Sequence, residues 1–204
     1  MQGRDHPGIG GQRCIIACDV FRSALLHLGI DRPDAPHTII YLPAHLHLYP
    51  DHLKQKLLQC LESDQRTRSC ADCLYGKCFP DIDTVLNARA IERIDCGHCY
   101  EILLGRAVHN AVMSNRPGTF FLEKTVIEDF DNLCGTPLEL DDPQMRRWYF
   151  EHYQQVLYIR QPLDPDLMGE VRRIAKRLSL EYTVMDADYT DLISYLKKKN
   201  LFQL

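Results

Sequence analysis

Cys14-Ile15-Ile16-Ala17-Cys18, then Asp19-Val20-Phe21, then after one helix-length interval Thr38-Ile39-Ile40-Tyr41-Leu42: this stretch decides the fold. The first run is short and continuously apolar, the mark of a strand buried on both faces. Residues 21–28 carry helical patterning, and Gly29 supplies a C-terminal stop. Residues 31–36 form a turn, and 38–42 form a second strand. Pro50 opens a helix in which Leu53, Leu57, Leu58 and Leu61 make one apolar stripe. Two strands joined through a helix run parallel, because a crossover of that length returns the chain to the same end of the sheet.

The alternation continues along the chain. Residues 70–74 read as a third strand, 82–90 as a helix and 90–94 as a strand. Residues 100–115 read as one helix with Ile102, Leu103, Ala107, Val108, Ala111 and Val112 facing inward, ended by Pro117-Gly118. A strand over 120–122 precedes a helical or loop stretch to Phe130, and 143–155 is a helix bearing Trp148, Tyr149 and Tyr153. The last third reads strand 155–159, helix 166–178, strand 180–185, helix 190–199. The class is α/β: a mostly parallel sheet with alternating helices, doubly wound and Rossmann-like. Residues 1–13 are Gly-rich and polar and read as a mobile tail. Residues 14–204 read as one domain, and the Pro- and Asp-rich 135–143 is the place where two lobes would divide.

Composition narrows the function. Of 204 residues, 45% are hydrophobic, enough for a sizeable core, and the net charge is -4. Lys197-Lys198-Lys199 is the one compact basic run, and it suits a solvated helix end. Nucleic acid is therefore not an expected partner, since phosphate binding relies on clustered cations. No stretch is apolar for long enough to span a bilayer, and the N-terminus has no secretory h-region. With no membrane and no export expected, the nine cysteines read as thiols or metal ligands of a cytoplasmic, reducing compartment.

Five of those cysteines crowd one segment: Cys70-Ala-Asp-Cys73, Cys78, then Cys96-Gly97-His98-Cys99. Two pairs separated by two residues each are a metal-ligand spacing, and converging thiolates need a soft metal or a partner thiol. Topology adds to spacing. Sites in open parallel sheets form beyond the carboxyl ends of the strands. Cys18 ends the first expected strand, and Cys78 and Cys99 follow later ones, so three βα junctions bring three thiols to one edge. A reversible disulfide, Cys70 with Cys73 or Cys96 with Cys99, is the competing reading of the pairs. Cys14, Cys60 and Cys134 read as small apolar core residues. His98, inside the second pair, is a candidate ligand; His47 is a candidate ligand or acid/base, while His45 and His52 read as solvent-facing and His109 as structural. Asp19 and Glu101 are candidate carboxylates behind the ligands. Gly76, Gly97, Gly105 and Gly118 flank these junctions without forming a phosphate loop.

Several short motifs, in order, resemble the domain-of-unknown-function family 1638. They are Ile15-Ile16-Ala17-Cys18-Asp19-Val20-Phe21, Tyr41-Leu42-Pro43 with Leu46-His47 and Pro50, Tyr75-Gly76-Lys77-Cys78, Cys99-Tyr100-Glu101-Ile102-Leu103-Leu104-Gly105, and Pro117-Gly118-Thr119-Phe120-Phe121-Leu122. The resemblance implies an α/β protein in which Cys18, His47, Cys78 and Cys99 are marked positions. It also implies a setting near corrinoid-dependent methyl transfer, with a small-molecule substrate or a corrinoid or methyltransferase protein as partner. Two places depart from the family pattern. Phe79-Pro80-Asp81 stands where a small Asn- or Gly-rich turn is usual, and Gly97-His98 where a His-Asp pair is usual. Cys70, Cys73 and Cys96 are additional.

Three readings follow. The first is a metalloprotein whose Cys18, Cys78 and Cys99 hold zinc or an iron–sulfur cluster with a position left for substrate or for His98 or Cys96. The second is a noncatalytic metal- or cluster-binding assembly protein, favoured by full ligation through Cys70, Cys73, Cys96 and Cys99. The third is a metal-free binder of small molecules at the same edge.

Overall fold

The computed structural model describes residues 13–63 and 71–202. Strand β1 (Arg13–Cys18) lies between β2 (His37–Leu42) and β3 (Ala71–Leu74) and is parallel to both. Arg13 therefore belongs to the first strand rather than to a tail: its guanidinium reaches Asp72 at 2.6 Å and the Lys199 carbonyl. Residues 1–12 and Cys70 lie outside the described residues. A turn of 3-10 helix leads from β1 into α1 (Arg22–His27), which stops where Gly29 takes a φ of +66°. Helix α2 (Pro50–Ser63) buries Leu53, Leu57 and Leu61, the stripe read from the sequence.

The α/β class holds, but the strands divide between two small parallel sheets instead of joining one. The second contains β4 (Thr119–Leu122), β5 (Gln155–Arg160) and β6 (Glu181–Asp186), in that order. The expected strand over 90–94 explains the break. It shrinks to a single bridge, Cys73 to Arg93, because Ala90 turns the chain at a φ of +55° and Arg93 commits its side chain to nearby carbonyls. After α3 (Ile82–Asn87) the chain leaves the first sheet through α4 (Cys99–Leu104) and α5 (Arg106–Asn115). These replace the single helix expected over 100–115. Gly105 separates them at a φ of +75°, a conformation that suits glycine.

The second sheet is built on α6 (Lys124–Glu128), a π-helical turn over 131–135, α7 (Pro143–Phe150), α8 (Met168–Leu178) and α9 (Thr190–Lys198). The stretch 135–143 joins the π turn to α7 inside this second unit. Strand β5 is buried on both faces, and its alternation links the two cores. Leu157 and Ile159 join the larger core that wraps the first sheet, while Val156 and Tyr158 pack into the smaller one with Ile174 and Phe130. No helix among the described residues is long and apolar enough to cross a membrane.

Candidate functional site

In the order β2-β1-β3 the chain moves from β1 to one side and returns to β3 on the other. The crevice of such a sheet opens beyond the carboxyl end of its central strand. Cys18 is the last residue of β1, Cys78 lies in the turn after β3, and Cys99 is the first residue of α4. The three meet: the Cys99 thiol is hydrogen-bonded to both Cys18 and Cys78.

Gly76 makes that meeting sterically feasible. A Cβ there would stand 2.4 Å from the Cα of His98 and 2.9 Å from its carbonyl carbon, both rigid backbone atoms. The two segments are then fastened together. The Lys77 amide donates to the Gly97 carbonyl at 2.7 Å, and the Gly97 amide donates to Glu101 Oε2 at 2.7 Å. Glu101 Oε1 also accepts from Arg106 Nε at 2.9 Å, so this carboxylate supports the loop beneath Cys99. Behind them the guanidinium of Arg93, almost wholly buried, donates to the carbonyls of Tyr75, Ile94 and Cys96 at 3.3, 2.7 and 3.0 Å. Asp83 balances its charge at 2.5 Å. Asp19, the other carboxylate expected near the ligands, pairs with Arg22 at 2.7 Å.

The shared hydrogen bonds split the thiols. The bond from Cys99 holds the Cys78 thiol below the ordinary thiol range, with help from the Gly76 amide and the Arg93 charge and against its own burial. Cys99 is pushed well above that range, first by its hydrogen bond to Cys18, then by that to Cys78 and by burial. Cys78 thus ionises before Cys99, which is its donor.

All three thiols line a cavity of about 1040 Å³, together with His47 and His98. The Nδ1 of His47 lies 2.9 Å from the Ala44 carbonyl. A carbonyl only accepts, so Nδ1 carries the proton and Nε2 keeps its lone pair, the tautomer arrangement common in metal-ligating histidines. The ring of His98 packs edge-on against His109, 4.7 Å between centroids, and burial followed by that neighbour holds His98 below the ordinary histidine range. His45 and His52 do not line the cavity; His52 stacks on Tyr49 at 5.8 Å.

The remaining candidates sit elsewhere. Cys73 is fully buried in β3, and burial pushes its thiol up. Cys96 donates to the Tyr75 carbonyl at 3.8 Å, is pushed up to about 12 by burial, and lines a separate cleft of about 360 Å³ with Arg93 and Glu101. Neither lines the cavity that Cys99 faces. All described cysteines are free thiols, Cys96 and Cys99 included. Cys134, assigned to the core by sequence, lines the same cavity as the three thiols, with its own thiol pushed up to about 11 by burial. Its only local signal is the π-helical turn that carries it, a geometry often found at functional sites.

Two observations bear on whether a soft metal fits. Zinc–sulfur bonds of about 2.3 Å at a tetrahedral angle put two sulfurs about 3.8 Å apart, the same scale as a thiol–thiol hydrogen bond. The second is the Tyr75 hydroxyl, which is fully buried, has no hydrogen-bond partner among the described residues, and lies within electrostatic range of Cys18, Cys73, Cys99 and Cys78. An orphaned donor there suits sulfurs that have lost their protons and become acceptors. Among the described residues no group of three or more His, Cys, Asp or Glu is arranged so that it could hold a metal ion. The donor set is right in chemistry for a soft metal.

A family model described as a protein of unknown function (DUF1638) matches residues 41–196, a span that includes His47, Cys78 and Cys99 and begins after Cys18. No curated protein and no solved structure matches the chain. With the match covering most of its length, the chain belongs to the DUF1638 family.

Proposed function

We propose that Cys18, Cys78 and Cys99 hold a soft metal, zinc or an iron–sulfur cluster, at the carboxyl edge of the first sheet, with one coordination position open to the cavity. The observation that carries this reading is the Cys99 thiol hydrogen-bonded to two cysteines from two other βα junctions, at the wall of a cavity of about 1040 Å³. A closed, four-thiolate site is structural, whereas three protein ligands beside a cavity suit a reacting ligand. The metal would supply Lewis acidity toward a substrate thiol or water. Cys78 presents a sulfur held below the ordinary thiol range, and Cys99 holds the proton beside it. Tyr75 stands ready to donate to thiolate, and His47 offers Nε2 from across the cavity wall. The setting that fits is one-carbon chemistry in a reducing cytoplasm, as an enzyme or as an accessory protein to a corrinoid methyltransferase.

Titration of reduced protein with cadmium tests the ligand set, because each thiolate bound to cadmium adds a charge-transfer absorption. The expected result is three thiolates per bound ion, falling to two in Cys78→Ser and in Cys99→Ser. An unchanged amplitude in both variants would contradict the reading. A second reading has one observation in its favour: among the described residues no group of three or more His, Cys, Asp or Glu is arranged so that it could hold a metal ion. In it the same cavity takes a small organic molecule and the thiols act as hydrogen-bonding groups, and the wild-type protein gives no cadmium–thiolate band at one equivalent.

A further inference from the structure

The described cavity walls carry charge of one sign. Lys77, exposed and next to Cys78, lines the cavity, and no Asp or Glu does so among the described residues. Asp83 senses the Lys77 ammonium, but its carboxylate is held by Arg93 at 2.5 Å. Rings make up part of the uncharged wall, beside aliphatic residues such as Leu48, Met113 and Leu138. Tyr100 stands 5.6 Å from His98 and 5.5 Å from Phe121, and His109 stacks behind Phe121 at 5.4 Å. Phe120 and Tyr153 form a further edge-on pair at 5.8 Å. His109 is buried with neither ring nitrogen partnered among the described residues, so the ring cluster also contains polar atoms that no described group satisfies. A cation and a cluster of rings in one lining define a complementary ligand: a flat body to replace water against the rings, and a negative group for the lysine.

We infer that the cavity takes an aromatic carboxylate, its ring against Tyr100 and Phe121 and its carboxylate at Lys77. This names the ligand class of the site proposed above. It rests on that reading only for which atom of the ligand would face the thiols; the ring and the anion rest on the walls themselves.

Calorimetric titration with simple probes separates the two ideas. On wild-type protein, 2-naphthoate should bind about tenfold more tightly than its neutral amide, and also more tightly than decanoate, which has the charge without the ring. Lys77→Gln, a change at an exposed side chain, should erase the difference between naphthoate and amide. Lys77→Glu should reverse it. Equal binding of naphthoate and its amide to wild type, or an undiminished preference in Lys77→Gln, would overturn the inference, as would decanoate binding as well as naphthoate. A parallel comparison of thiosalicylate with salicylate on zinc-loaded and metal-stripped protein reports on the metal. If naphthoate behaves as expected while thiosalicylate gains nothing from zinc, the aromatic-anion site stands and the metal centre fails.

Discussion

Cys99 is the residue on which the site turns, because its thiol alone is bonded to both other candidates. Its partners differ in how easily sequence reveals them. Cys18 and Cys78 were legible from strand ends, since a parallel sheet gathers its βα junctions at one edge. The two-residue spacing was a poorer guide. Cys73 alternates into the core of β3, and Cys96 turns toward the Tyr75 carbonyl, so a shared local motif does not put sulfurs on one side of a loop. Cys134 was not legible at all, for it reaches the cavity from the second unit and has no spacing relation to the others. Gly76 is the residue that a methyl group should damage most. Gly76→Ala forces a Cβ against the backbone of His98, and unfolding measurements should register a loss of about 2–3 kcal/mol together with weaker cadmium binding. Cys60→Ser, on α2 away from the cavity, should leave both unchanged.

At the scale of elements, the helices and strands were largely readable from periodicity, and the departures have local causes. The long helix expected over 100–115 breaks because Gly105 adopts a positive φ, and this turns α4 so that its first residue meets β1. The strand expected over 90–94 is instead a clamp centred on Arg93. Replacing Arg93 by Met leaves three carbonyls without their donor, and should cost about 3 kcal/mol in denaturant unfolding while loosening the turns that carry Cys78 and Cys96. Helix α6 carries a different device. Glu123 caps it by accepting from the Thr125 and Val126 amides at 2.9 and 3.0 Å, yet burial raises its carboxyl to about 7. The native state therefore binds more protons than the unfolded chain between the ordinary carboxylate range and about 7. Stability should fall as pH rises through that window, by on the order of 3 kcal/mol, and the loss is complete above it. Melting curves at pH values on either side should separate in the wild type and move closer together in Glu123→Gln, which cannot ionise. Equal separation in both proteins would assign the pH dependence to other groups.

Across the whole molecule, the sequence pattern conveyed the class and the parallel direction of the strands, but not their division into two sheets. Nothing in the hydrophobic periodicity of β4 or β5 distinguishes a strand that extends an existing sheet from one that starts another; the choice is made by the connection through α4 and α5. That division has a functional consequence. The larger core continues from the first sheet onto Phe121 and Leu157 of the second, so the cavity lining combines the thiols at the edge of the first sheet with Phe120, Phe121 and Cys134 of the second unit. The first sheet alone contains a reversal of strand order, and the thiols gather there; the second runs β4-β5-β6 without one. The most direct measurement of the central claim is elemental analysis of protein purified without oxygen, compared with its Cys78→Ser and Cys60→Ser variants. Zinc or iron stoichiometric with the chain in the wild type and in Cys60→Ser, and lost in Cys78→Ser, is the predicted result; a clean metal-free wild type, or metal retained equally by all three proteins, would contradict it.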